Sequence, residues 1–385
     1  MTSAGSRLRS IHGAPSWRLA SDRVEAFVAR DGGHLGPVTF RTARGRVRPL
    51  AVAPWAGGRL APATPAVLRT LRGDFFCLPF GENGRPWRGE RHPVHGETAS
   101  RRWRLLSSTE RGPVAELAAE MVTRIRPGRV RKLLRVRQGE TNVYCRHELR
   151  GFRGRLCLGH HAMLAFPDEP GAGRIALSPW RLGQVCPRPF ESAAQGGYSA
   201  LRTGARFRDL RRVPLAAGGW ADLTRYPARA GFEDLVLVSA RPRTRLAWTT
   251  VTFPRQGYVW IALKDPRVLA STVLWHSNGG RHYPPWNGRH RRVLGLEEVT
   301  GYFHFGLADS AGPNPLARRG VPTTVRLRPD RTTVVNYVMG VAAVPPDFDC
   351  VRQVRFARDH VVLTAGSGAV VRHPVDLSFF DPAAQ

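Results

Sequence analysis

The apolar residues of this chain come in short runs, and Gly, Pro, Asp or Asn punctuates the gaps between them. VEAFVARDGGHLGPVTF (24–40) reads as two strands around a Gly-Gly turn. Similar runs follow at 103–106, 114–125, 141–149, 155–166, 234–240, 246–253, 257–264 and 272–277. Others lie at 293–305, 323–329, 331–341 and 351–365. With 40 Gly and 31 Pro, long helices have little room, because one residue costs backbone entropy and the other removes a helical donor. Only 114–122 has fair helical composition, and it fits a strand pair equally well. The spacing predicts an all-β fold, a large antiparallel β-sandwich, and not an alternating βαβ order. No repeat or linker interrupts it, so residues 21–385 are expected to form a single β-sandwich domain. Residues 1–20, short of core formers, are expected to be a flexible lead-in, and 167–232, rich in Gly, Pro and Arg, to form long loops.

The net charge of +30 raises the question of a polyanionic partner. All but two of the 59 basic residues, Lys132 and Lys264, are arginine. Together with the abundance of Ala, Gly and Pro, this suggests a coding bias toward those residues. The densest basic stretch, TRIRPGRVRKLLRVR (123–137), interleaves Ile125, Val130, Leu133, Leu134 and Val136. That pattern predicts strands with an arginine-coated outer face and argues against a nucleic-acid groove. The five cysteines include no Cys-x-x-Cys pair, and four sit among apolar neighbours, which fits a reduced, cytoplasmic setting. The N-terminus lacks the apolar stretch of a signal peptide, and no apolar run approaches the ~20 residues of a spanning helix. No membrane role is expected, and composition leaves the oligomeric state open.

Phosphate-loop, dinucleotide, zinc-helix and serine-elbow signatures are all missing, so no cofactor and no metal are expected. Polar residues at the ends of apolar runs remain. Arg72-Gly73 opens the stretch RGDFFCLPFG, and His95-Gly96 follows it, with Trp103 further on. His160-His161 end the run LCLG, and Asp234 begins a strand. The segment WHSNGGRHYPPWNGRH (275–290) gathers Asn278, Arg281, Trp275 and Trp286. Glu297-Glu298 lie inside VLGLEEVTGYF, where a buried acid needs polar partners. Taken singly, Arg72 reads as one more arginine, His161 as an interior histidine and Asp234 as a turn residue.

The stretch RGDFFCLPFG with the following His95-Gly96 and Trp103 resembles the sugar-phosphate epimerase branch of the galactose mutarotase-like superfamily. GGHLGPVTF is similar to that group's first hairpin, GHHAML to its histidine-bearing strand end, and VLGLEEV to the strand carrying its glutamate. The motifs keep the family's order from about residue 24 to 305. The resemblance implies an aldose 1-epimerase, which interconverts the anomers of a free or phosphorylated sugar on a large β-sandwich. It implies Glu297 as general base toward the anomeric hydroxyl and His161 as general acid toward the ring oxygen. His95 and Arg72 then bind or polarise the sugar, as does Asp234. His160, Asn278, Arg281, Trp286 and Glu298 complete the expected substrate-binding set, with Trp286 and Trp275 offering faces to a pyranose.

The sequence departs from that pattern in three places, one of them the loop SNGGRHYPPWNGRH (277–290), which has no counterpart there. Ala162-Met163-Leu164 follow the histidines where the family has an aromatic pair, and Glu298 stands where it commonly has Pro. Either histidine and either glutamate could therefore hold the catalytic position; the phase of the preceding strand favours His161. A non-catalytic sugar-binding protein of the same fold is the alternative, and it would use the same pocket.

Overall fold

The computed structural model describes residues 7–110 and 112–381. Strand accounts for 47% and helix for 6%, so β-sheet decides where everything else sits. Two large antiparallel sheets form the body. The seven-stranded sheet runs Arg206–Phe207, Trp180–Val185, Glu233–Ala240, Ser271–Ser277, Val293–Thr300, Leu158–Ala165, Phe76–Cys77. The nine-stranded sheet is centred on Tyr258–Lys264, Thr333–Ala343 and Asn142–Arg150, and extends outward to Arg225–Tyr226 and Arg104–Thr109. Side chains from both sheets merge in one core that runs from Trp17 to Val341.

The central strands are buried along their whole length because both of their faces are covered. Every residue of Val293–Thr300, Ser271–Ser277 and Tyr258–Lys264 is buried. A three-stranded sheet (Val351–Phe356, His360–Ala365, Val370–Pro374) supplies the second cover for the nine-stranded sheet. There Val354, Val361 and Leu363 pack with Trp248, Val259, Ile261 and Leu263.

Two local expectations change, and a third is decided between its alternatives. Residues 9–20 are not loose: Arg9–Ile11 and Ala14–Ala20 begin a five-stranded sheet, because Trp17 and Leu19 belong to the main core. Residues 1–6 of the expected lead-in lie outside the described residues. Within 167–232, Gly173–Leu177 and Trp180–Val185 are strands of the two large sheets. Their alternation is short enough to be hidden by the surrounding Gly, Pro and Arg. Segment 114–122 is a strand, Val114–Thr123, paired along its full length with Gly128–Arg137. On that ribbon Arg129 and Arg135 reach across to Glu120 and Glu116 at 2.6 and 2.5 Å, so part of the basic stretch is spent on cross-strand pairs.

The pairing that positions the site joins Leu158–Ala165 to Val293–Thr300, with His160 opposite Glu298 and His161 opposite Glu297. Successive strand residues point to opposite faces, so each doublet is split between the two sides of the sheet. Glu298 points into the space between the sheets. There it accepts hydrogen bonds from Thr249 Oγ1 (2.6 Å) and Thr272 Oγ1 (2.7 Å) and pairs with the Lys264 ammonium. Lys264 also donates to the Ser271 carbonyl at 2.7 Å. Removing one partner of such a buried pair strands the other charge. Glu298→Ala is therefore expected to destabilise the fold by about 3–5 kcal/mol in urea unfolding. The double change Glu298→Gln with Lys264→Met should recover most of that loss. A wild-type stability for Glu298→Ala would contradict a structural role.

Candidate active site

The glycines flanking the stretch at 72–96 are backbone requirements. Gly73 sits at φ +54° and Gly96 at φ +77°. A Cβ there would lie 1.7 Å from the Leu35 carbonyl oxygen and 2.0 Å from that of Leu78, respectively. Between them Phe75 packs on two imidazoles: His34 stacks on it at 4.2 Å between centroids and His161 at 4.5 Å. His34 is anchored in turn by a 3.0 Å contact of Nε2 with the Ala99 carbonyl. The His161 backbone N–H donates to the Phe75 carbonyl at 3.0 Å. Stacking and backbone bonding together fix the plane of the His161 ring.

On this side of the sheet His161 Nε2 lies 3.4 Å from Glu297 Oε1, with both side chains almost fully buried. The pair forms part of the wall of a cavity of about 340 Å³, within the range of small-molecule sites. The ring of His95 stands edge-on to His161 at 4.9 Å. Its Nδ1 accepts from the Gly81 N–H at 3.3 Å, which leaves Nε2–H as the donor of the neutral ring. Arg281 lies over Trp286 at 4.5 Å and over Trp275 and Phe190 at 5.3 and 5.2 Å.

Five residues expected at the site are placed together here: His95, His161, Arg281, Trp286 and Glu297 all line the cavity. The other five do not. Arg72 turns away and donates to the carbonyls of Ile11 (2.6 Å), His12 (3.2 Å) and Thr70 (3.2 Å); its neighbour Leu71 faces the cavity instead. His160 points between the sheets, Nδ1 against Asp74 Oδ2 at 2.8 Å and its ring stacked on Tyr337 at 4.3 Å. Glu298 shares that side for the same reason of alternation. Asp234 accepts from the Ala200 and Leu201 N–H groups at 2.9 Å each and from Arg229 Nε at 3.0 Å, so it anchors a loop. Asn278 donates to the Ala228 carbonyl and accepts from the Arg292 N–H, again joining loops.

Sequence reasoning missed Glu82, Glu191, Glu233, Tyr283 and His304. Glu191 accepts from Arg281 Nε at 2.6 Å and from the Tyr283 hydroxyl at 3.1 Å. Glu233 accepts from Trp275 Nε1 and Ser277 Oγ at 2.9 Å, orienting the indole that faces the cavity. Glu82 and His304 meet at 3.3 Å on the cavity wall. The signal available was the scarcity of acids: in a chain with 29 acidic and 59 basic residues, an acid beside an aromatic cluster stands out.

Burial sets the protonation of the pair. It pushes the Glu297 carboxyl up to about 8, with the charge of Arg281 pulling the other way. Burial holds the His161 imidazole well below its ordinary 6.5, and the nearby His95 acts in the same direction. At neutral pH the pair therefore carries one proton on Glu297 and none on the His161 acceptor position. An acid and a base thus face each other across 3.4 Å in a largely apolar recess. Among the described residues no group of three or more His, Cys, Asp or Glu could hold a metal ion. Among them too, no helix is long and apolar enough to cross a membrane.

No family model matches this chain, and no curated protein matches it. Solved structures do. A galactose mutarotase-like protein from Clostridium acetobutylicum aligns over 88% of this chain and 98% of its own, with TM-score 0.57 and 13% identity. A proposed aldose 1-epimerase from Escherichia coli K12 aligns over 86% of this chain and 100% of its own, with TM-score 0.57 and 14% identity. A galactose mutarotase related enzyme from Lactobacillus acidophilus covers 86% and 98%, with TM-score 0.53 and 10% identity. The fold is that of the galactose mutarotase-like proteins, as the motif order implied.

The protonation of Glu297 has a consequence for stability. The unfolded carboxyl ionises near 4.3, whereas the folded one keeps its proton until about 8. Between those values the unfolded state has released a proton that the folded state retains, so stability falls as pH rises from about 4.3 to 8. Glu297→Gln abolishes that loss. Its stability relative to wild type should rise over this window, by no more than about 5 kcal/mol, and then level off. A pH-independent difference in urea unfolding would show that Glu297 ionises normally.

Proposed function

We propose that the protein is an aldose 1-epimerase-type isomerase, interconverting the anomers of a sugar by opening and closing its ring. The observation that supports this best is the facing of His161 and Glu297 at 3.4 Å in a recess of sugar size, beside two tryptophans. Anomer exchange needs one group to take the proton from the C1 hydroxyl and another to give a proton to the ring oxygen. The C1–O5 bond then breaks to the open aldehyde, C1 rotates about the C1–C2 bond, and the reverse transfers close the ring on the other face. The proton taken from O1 equals the proton given to O5, so no cofactor is required. The fold likeness to mutarotase-like proteins supports the same reading.

Glu297 is the base and His161 the acid in this scheme. The buried pair rests with its single proton on the carboxyl; passing that proton to His161 readies both groups and leaves the total charge unchanged. His95 Nε2–H adds a donor beside them, and the faces of Trp275 and Trp286 suit the C–H surface of a pyranose.

Anomer exchange followed by NMR across a panel of aldoses is the test. Wild type should accelerate exchange for at least one, and Glu297→Gln and His161→Ala should each lower it by about 10²–10⁴. No acceleration with any sugar would overturn the proposal. The pH profile offers a separate check. Loss of the pair's proton should make kcat/KM fall above about pH 8, whereas the lower limb, set by a second proton on His161, should lie well below pH 6.5. A profile that rises through pH 8 would contradict the single-proton pair.

A further inference from the structure

The cavity is unusual in what it lacks for holding hydroxyls. Among the described residues lining it there is no Ser, Thr, Asn or Gln. The candidate hydroxyl binders suggested by sequence, Arg72, Asp234 and Asn278, are bonded elsewhere. Tyr283 has the one lining hydroxyl, and it donates to Glu191. The aliphatic part of the wall is built of Val67, Leu68, Leu71, Val94 and Leu235, apart from the polar Glu82, His95 and His304. A sugar hydroxyl pressed against such a wall loses its water and gains no partner. A methyl in the same place gains from burial.

Charge points the same way. Among the described residues, Arg281 is the only arginine or lysine lining the cavity. Its Nε is bonded to the Glu191 carboxylate, whose side chain is 4% exposed, and its guanidinium lies over Trp286. That cation is already neutralised and held in place. Glu82, also on the wall, adds a negative charge. A phosphate entering here would meet a carboxylate and, among the described lining residues, find no arginine or lysine without a carboxylate partner.

We infer that the site selects uncharged sugars bearing an apolar substituent, 6-deoxyhexoses foremost, and rejects sugar phosphates. This rests on the epimerase reading for its turnover arm and on the cavity alone for its binding arm. The specificity-determining residues are the Val67–Leu71 and Leu235 wall and the Glu191 carboxylate that occupies Arg281.

The experiment compares one stereochemical series: 6-deoxygalactose, galactose and galactose 6-phosphate, and the matching gluco set. Anomer exchange is measured with wild type, and binding by tryptophan fluorescence with Glu297→Gln. In the preferred series, the deoxy sugar should exceed its parent in kcat/KM by about ten-fold or more. The phosphate should fall below the parent by on the order of a hundred-fold. Affinities should keep the same order. In Glu191→Gln the ratio of phosphate to deoxy sugar should rise at least about ten-fold, because Arg281 is released. A phosphate that turns over or binds as well as its parent, or a parent preferred over its deoxy form, would overturn the inference. If no sugar is turned over but the deoxy form binds best, the epimerase reading fails and the selectivity stands. If none of the sugars binds, the selectivity fails too.

Discussion

The alternation of side chains along two paired strands governs the chemistry of this protein. Leu158–Ala165 and Val293–Thr300 each carry a doublet, His160-His161 and Glu297-Glu298, and the register sets the doublets opposite one another. The pleat then sends one histidine and one glutamate into the cavity and the other two between the sheets. A one-residue slip would exchange them, sending Glu298 to the cavity and Glu297 between the sheets, and would flip every other side chain of the strand as well. Pairing of Glu298 with Lys264 satisfies the buried charge on the core side, while the full strand pairing holds the register on which the His161–Glu297 pair depends.

The space between the sheets is correspondingly polar for a sandwich core. Asp74 holds His160, Lys132 donates to the Gly33 carbonyl at 2.6 Å, and Lys264 and Glu298 are bonded on several sides. His147 stacks on Phe76 at 4.0 Å, and burial holds its imidazole well below the ordinary range. The two lysines of the chain are thus both buried at internal positions, while arginine covers much of the surface. A compact ammonium suits an enclosed site with carbonyl and hydroxyl acceptors, where a planar guanidinium would need a wider recess.

Sequence reasoning reached the sheet class because central strands buried on both faces, such as 257–264 and 293–300, are short, largely apolar runs bounded by turn residues. It misjudged 9–20, where a single Trp17–Leu19 alternation, shorter than a persuasive pattern, ties the segment to the core. At the site, strand phase was the useful signal, favouring His161 over its neighbour. Residue type alone could not separate the cavity-facing Arg281 from Arg72, since both are arginines in suggestive motifs. What distinguishes them is the partner: a carboxylate beside the cavity for one, two backbone carbonyls of a distant turn and that of Thr70 for the other. Glu82 comes to the cavity wall, and Glu191 to Arg281, from loops whose path depends on tertiary contacts, and local sequence does not encode that path.

The most direct measurement is a crystal structure of the inactive Glu297→Gln protein with a sugar bound. The C1 and ring oxygens are expected within hydrogen-bond distance of position 297 and His161, with a pyranose face against Trp275 or Trp286. His160 and Glu298 should keep their partners between the sheets. A sugar bound elsewhere, or one whose anomeric carbon lies remote from His161 and position 297, would contradict the assignment of this cavity as the active site.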